Sequence, residues 1–184
     1  MGKVDKMSCY IEDNEGQRTV TAVLRFSRRE LLYDIRNCAW IEGHGMGDVG
    51  EDGHGRHIIQ DIGDEGNIDR VSRVLSLAVA QVREMLYVYT SRAVLHTDLD
   101  NGLKEPQTYG IVLGLPQGFS QTSLNLLEKL IHEYLVCRVL ADWLSMTWPE
   151  KAQMWAVKAE QAREEIAPVM QRRSTPIRRR GHPF

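Results

Sequence analysis

At 184 residues, the chain is long enough to bury one sizeable core and too short to make two large domains comfortable. A composition of 42% hydrophobic, 26% charged and 7% aromatic residues sets it apart from disordered and membrane-embedded classes. The formal net charge of −2 names no partner, but it hides a segregation. Residues 42–69 carry Glu42, Asp48, Glu51, Asp52, Asp61, Asp64, Glu65 and Asp69 against Arg56, while residues 171–184 carry Arg172, Arg173, Arg178, Arg179 and Arg180 with no acid. The remainder is neutral, so the charge is concentrated in two segments.

In chain order, SCYIE at 8–12 and RTVTAVLRF at 18–26 are rich in β-branched and aromatic residues. The DNEGQ between them is turn chemistry, so an N-terminal β-hairpin over 8–26 is expected. Ser27 followed by Glu30 resembles a capping box, and Leu31, Leu32, Ile35, Cys38 and Ala39 recur at helical spacing. This predicts a first helix over about 28–42, stopped by Gly43. Residues 43–57, GHGMGDVGEDGHGRH, contain six glycines and no apolar run. They read as a flexible acidic loop, because they bury too little surface to offset the entropy of ordering.

Asn67 is placed to cap a long helix in which Ile68, Val71, Val74, Leu75, Ala78, Val82, Met85, Leu86 and Tyr89 recur every three or four residues. Residues 98–107 are polar and turn-rich, and Tyr109 to Leu115 reads as a short strand closed by Pro116. From Thr122, a broad apolar face running from Leu124 to Leu144 belongs in the middle of a bundle. Thr147 and Glu150 bracket Pro149 in the manner of a second capping box. The last helix then presents Ala152, Trp155, Ala159, Ala162, Ile166 and Val169 as a stripe. Two long helices joined by about two residues must run antiparallel, and the alanines permit a close approach. The expected fold is mainly α: one helical domain over 1–171, with a long C-terminal antiparallel helical hairpin, the small β-hairpin and the short strand. Beyond it, residues 172–184 form an extended basic arm.

Candidate chemistry is sparse. His44, His54, His57, Asp48, Glu51 and Asp52 are possible metal ligands, yet a specific site needs ligands held at fixed spacing on rigid backbone. The glycines of this loop follow a helix rather than a strand and sit among acids, which argues against a phosphate cradle. Cys137 lies five residues after His132, roughly 140° round a helix, so the two do not pair for nucleophilic catalysis. Neighbours such as Glu164 and Glu165 point apart. No catalytic constellation, metal site or cofactor is expected. Three widely spaced cysteines, Cys9, Cys38 and Cys137, argue against a disulfide framework and fit a reducing compartment. The opening MGKVDKMSCY lacks an apolar signal region, and no apolar run approaches the 18 or so residues of a membrane span. A cytoplasmic setting and no membrane partner are expected.

The arginine arm is the more informative segment. Five arginines attract nucleic acid, an acidic membrane surface or an acidic protein face, but Phe184 is the arm's sole aromatic, which weakens a base-stacking role. Thirteen extended residues reach roughly 40 Å, enough to cross onto a neighbouring subunit. Of three tryptophans near the hairpin tip, Trp143 and Trp155 read as core and Trp148 as interface.

The block from Leu124 to Met170, with its YLV…VLADWL face, Pro-containing corner and alanine-spaced second helix bearing a Trp, resembles the C-terminal helical hairpin of tailed-phage head–tail connector or adaptor (neck) proteins. The ending from Arg178 to Phe184 is similar to that of prophage proteins of gut Bacteroidetes. The resemblance implies a non-enzymatic structural virion protein, assembled in the host cytoplasm into a homo-oligomeric, dodecameric ring in the neck. Its implied partners are the portal protein and other neck or tail proteins, with non-specific contact to packaged DNA. The candidate interface residues are Arg172, Arg173, Arg178, Arg179, Arg180, Phe184, Trp148, Asp48, Glu51, Asp52 and His54, with loop and arm clasping adjacent copies. The N-terminal hairpin and acidic glycine loop depart from a minimal all-helical adaptor. Two alternatives stand beside it: a DNA-associated accessory protein using the arginine arm, and a metal-dependent enzyme using His44, His54 and His57.

Overall fold

Alternate residues of two segments, Val20/Ala22/Leu24/Phe26 and Tyr109/Ile111/Leu113/Leu115, are buried in a computed structural model of the chain, which describes residues 9–12, 19–45, 54–90, 106–116 and 118–171. Period-two burial of this kind belongs to strands with one face on a core. The strands are β1 (Cys9–Glu12), β2 (Thr19–Ser27) and β3 (Thr108–Pro116), paired in the order β1-β2-β3 with both pairings antiparallel. The register sets Ala22 against Leu113, Leu24 against Ile111 and Phe26 against Tyr109, so the core face is built from apolar cross-strand pairs. The expected hairpin and short strand are thus one sheet.

The helices are α1 (Arg28–Gly45), α2 (His54–Gln60), α3 (Glu65–Met85), α4 (Tyr87–Thr90), α5 (Gln121–Thr147) and α6 (Pro149–Gln171), with a 3₁₀ turn at Asp61–Gly63. The protein is mainly helical, and its buried apolar side chains from sheet and helices form one cluster. Helix α5 is the central member: Tyr134, Leu135, Val136 and Cys137 are buried in succession, covering every side of the helix. It packs against α6, α3, α1 and α2. Every residue of the expected α6 stripe is buried, from Ala152 to Val169, and the small side chains bring the hairpin helices together.

Several boundaries differ from expectation for local reasons. Helix α1 continues through a buried Gly43 to Gly45, and His54 to His57 already belong to α2. The flexible loop expected over 43–57 is therefore wrong at both ends, and 46–53 lies outside the described residues. Ile59 and Ile62 are fully buried just beyond, and their packing outweighs the roughly 1 kcal/mol by which glycine disfavours helix. Helix α3 is capped at Asp64. Asn67 donates its side-chain amide to the carbonyl of Asp61 at 2.9 Å, so it secures the preceding turn rather than capping the helix. The long helix breaks at Leu86 before α4. Helix α5 is capped by the hydroxyl of Ser120, which accepts from the backbone N–H of Ser123. Thr147 donates back to the Trp143 carbonyl at 3.2 Å, which takes its hydroxyl away from the expected capping box. Pro149 does open α6, where its missing N–H is harmless.

Candidate functional site

Most of the interface residues proposed from sequence, namely Asp48, Glu51, Asp52, Arg172, Arg173, Arg178, Arg179, Arg180 and Phe184, lie outside the described residues, and His54 is the first residue of α2. Trp148 closes the C-terminus of α5, half-buried against the core, with the Lys151 ammonium 5.3 Å from its ring centroid. Of the histidines of the metal alternative, His44 lies in α1 and His54 and His57 in α2. His44 stacks on Trp40 with ring centroids 3.9 Å apart, and its Nδ1 is 3.2 Å from the amide of Gln60. His57 is exposed on α2. Among the described residues, no group of three or more His, Cys, Asp or Glu side chains is arranged to hold a metal ion.

What the fold does bring together is a polar seam between α1 and the α5/α6 hairpin. Asp34, Cys38 and Glu42 recur every fourth residue of α1, which puts them on one helix face. Asp34 accepts from His132 of α5 at 2.7 Å. Glu42 accepts from the indole N–H of Trp155 at 3.2 Å and pairs with Lys151 at 3.1 Å. Lys158 lies over the Trp155 ring, 4.2 Å from its centroid. Cys137 donates to Glu133 of its own helix at 3.5 Å. Trp143, on the same hairpin, donates to the Ile59 carbonyl at 3.2 Å.

The electrostatics of this seam oppose thiol chemistry. Burial first, then the negative Glu133 beside it, push the Cys137 thiol up to about 12. Burial, Glu133 and Asp34 raise Cys38 as well. A nucleophilic cysteine needs the reverse, a thiolate favoured by nearby positive charge. The seam is suited to fixing α1 on the hairpin. The nearly satisfied Glu42 carboxylate, 17% exposed, is its anchor.

The outward faces carry the other feature. On α1, Tyr33, Trp40 and Ile41 are 70%, 52% and 56% exposed. The outer face of α6 holds a shallow groove of about 260 Å³ lined by Gln153, Ala156, Val157, Glu160, Gln161 and Glu164, with Met154 exposed nearby. These surfaces were not singled out from sequence. The available signal was the placing of Tyr33 and Trp40, and of Gln153, Val157 and Glu164, four, seven or eleven residues apart, on helix faces away from the buried stripes.

No family model matches the chain, and no curated protein or solved structure does. Among the described residues no helix is long and apolar enough to cross a membrane.

Proposed function

We propose that the chain is a structural, ring-forming subunit of the head–tail connector class, with its hairpin as the body of the ring. Phage, prophage and virion roles rest on the resemblance of residues 124–170 to neck proteins. The observation that carries the assembly reading is the aromatic face of α1. Three large side chains on one stretch of helix, Tyr33, Trp40 and Ile41, are exposed, and exposed apolar groups rimmed by polar residues mark interaction surfaces. The α1 face and the α6 groove are dissimilar surfaces on one chain. Unlike surfaces are what a head-to-tail contact requires, and such contacts form rings where the rotation between copies closes. The seam supports the same reading, because a helix that presents an interface must itself be fixed in position.

Light scattering coupled to size exclusion, at micromolar concentration with and without portal protein, tests this. The expected result is a discrete oligomer alone or on addition of portal. A strict monomer that ignores portal protein would overturn it.

A further inference from the structure

We propose that the groove on the outer face of α6 receives the arginine arm, residues 172–184, of a second copy of the chain. This deepens the ring reading and rests on it, by naming one contact between adjacent subunits.

The groove has the chemistry the arm calls for. Its lining residues recur at intervals of three, four and seven along α6, so they form one continuous stripe on the helix. Ala156 and Val157 supply an apolar floor, and Glu160 and Glu164 supply carboxylates at one end. Glu165 is exposed beside them. Glu160 already holds a guanidinium, that of Arg163, at 2.9 Å, which shows that this carboxylate is placed to pair with one. Pro168 sits inside the last turns of α6 and has no N–H to give the carbonyl of Glu164 four residues earlier.

The arm's sequence is complementary. Arg178, Arg179 and Arg180 are bracketed by the apolar pairs Pro176–Ile177 and Pro183–Phe184. Prolines at both ends disfavour helix and suit an extended strand of chain laid along a groove. Apolar residues against Val157 and Ala156, with guanidiniums against Glu160 and Glu164, match charge to charge and floor to floor. Within one copy, the arm would have to reverse direction immediately after Gln171 and run back along its own helix. A neighbour's arm, able to extend roughly 40 Å, enters without that reversal.

The test uses two full-length charge-reversed chains. One carries Arg178→Glu, Arg179→Glu and Arg180→Glu in the arm; the other carries Glu160→Arg and Glu164→Arg in the groove, both exposed positions. Circular dichroism checks that each folds like the parent. Sedimentation velocity at low and physiological salt then measures association. Each variant alone is expected to associate on the order of tenfold more weakly than the parent, from the loss of a few exposed ion pairs and the addition of like-charge repulsion. An equimolar mixture should regain association, because the acidic arm of one now fits the basic groove of the other. Parent-like association of both variants would overturn the arm–groove contact while leaving the ring reading intact. Weakening without recovery in the mixture would overturn docking of the arm in the neighbour's groove. A monomeric parent under every condition would remove both readings together.

Discussion

Replacing Trp155 with Phe tests whether the polar seam holds α1 to the hairpin. The phenyl ring keeps most of the buried apolar surface but removes the indole N–H that donates to Glu42 at 3.2 Å. A hydrogen bond to a charged acceptor contributes about 1.5 to 3 kcal/mol. Lys151 stays at 3.1 Å from the other Glu42 oxygen, so the loss belongs at the lower end of that range. The smaller ring leaves unfilled volume, and the cation–π contact with Lys158 weakens, together about 1 kcal/mol. The expected cost is therefore about 2 to 3 kcal/mol, which in a chain of this length corresponds to a fall in Tm of roughly 5 to 8 °C. Urea denaturation followed by far-ultraviolet circular dichroism measures it. The same substitution in a Glu42→Ala background should cost only about 1 kcal/mol, because the acceptor is already gone. That double-mutant cycle isolates the pair. Equal costs in both backgrounds would show that Trp155 and Glu42 are not coupled, and the seam would then be a bystander of apolar packing.

Two further outcomes follow from the core. Cys137 has a thiol pKa raised to about 12 by burial and Glu133, so the folded state holds its proton longer than the unfolded chain. Its contribution to stability is full below the ordinary thiol range and is lost as pH rises towards 12, with a slope of at most about 1.4 kcal/mol per pH unit. Urea midpoints from pH 8 to 11 should fall less steeply in Cys137→Ala than in the parent, and identical slopes would contradict the burial argument. Leu140→Ala, on the fully buried side of α5, should cost about 3 to 5 kcal/mol and lower the urea midpoint without changing the number of unfolding transitions. A cost under about 1 kcal/mol would mean that the hairpin core is not packed as described.

The hairpin was legible because its information is local. Apolar residues at helical spacing run through α5 and α6, and Pro149 marks the corner. A stripe that long leaves few alternatives to antiparallel packing. The sheet was only half legible for the opposite reason. β2 and β3 pair Val20 with Leu115 across about half of the chain, and strand pairing at that separation leaves no signature in either segment alone. At the two ends of 43–57, glycine propensity points away from helix, while the packing of Gly43, Ile59 and Ile62 that sustains α1 and α2 is a tertiary effect. Of the seam, the i, i+4 spacing of Asp34, Cys38 and Glu42 was readable, but their partners His132, Lys151 and Trp155 are far away in sequence.

The same division between local and long-range information bears on assembly. The seam joins α1 to α5 and α6 through side chains that are partly wet: Asp34 and His132 are 44% and 29% exposed. Pairs of that kind are worth little individually, so the seam's contribution lies less in total stability than in fixing the azimuth of α1. A helix that rolled about its axis would carry Trp40 and Tyr33 with it, and their positions relative to the α6 groove would blur. Binding then would cost the additional entropy of immobilising that face. With Glu42 held by two donors and Asp34 by His132, the aromatic face and the groove keep a constant relation across one subunit. A constant relation between two unlike surfaces lets head-to-tail contacts repeat identically, and the rotation between copies then decides whether they close into a ring. Loosening the seam, as in Trp155→Phe, is accordingly expected to broaden the distribution of oligomer sizes before it unfolds the subunit.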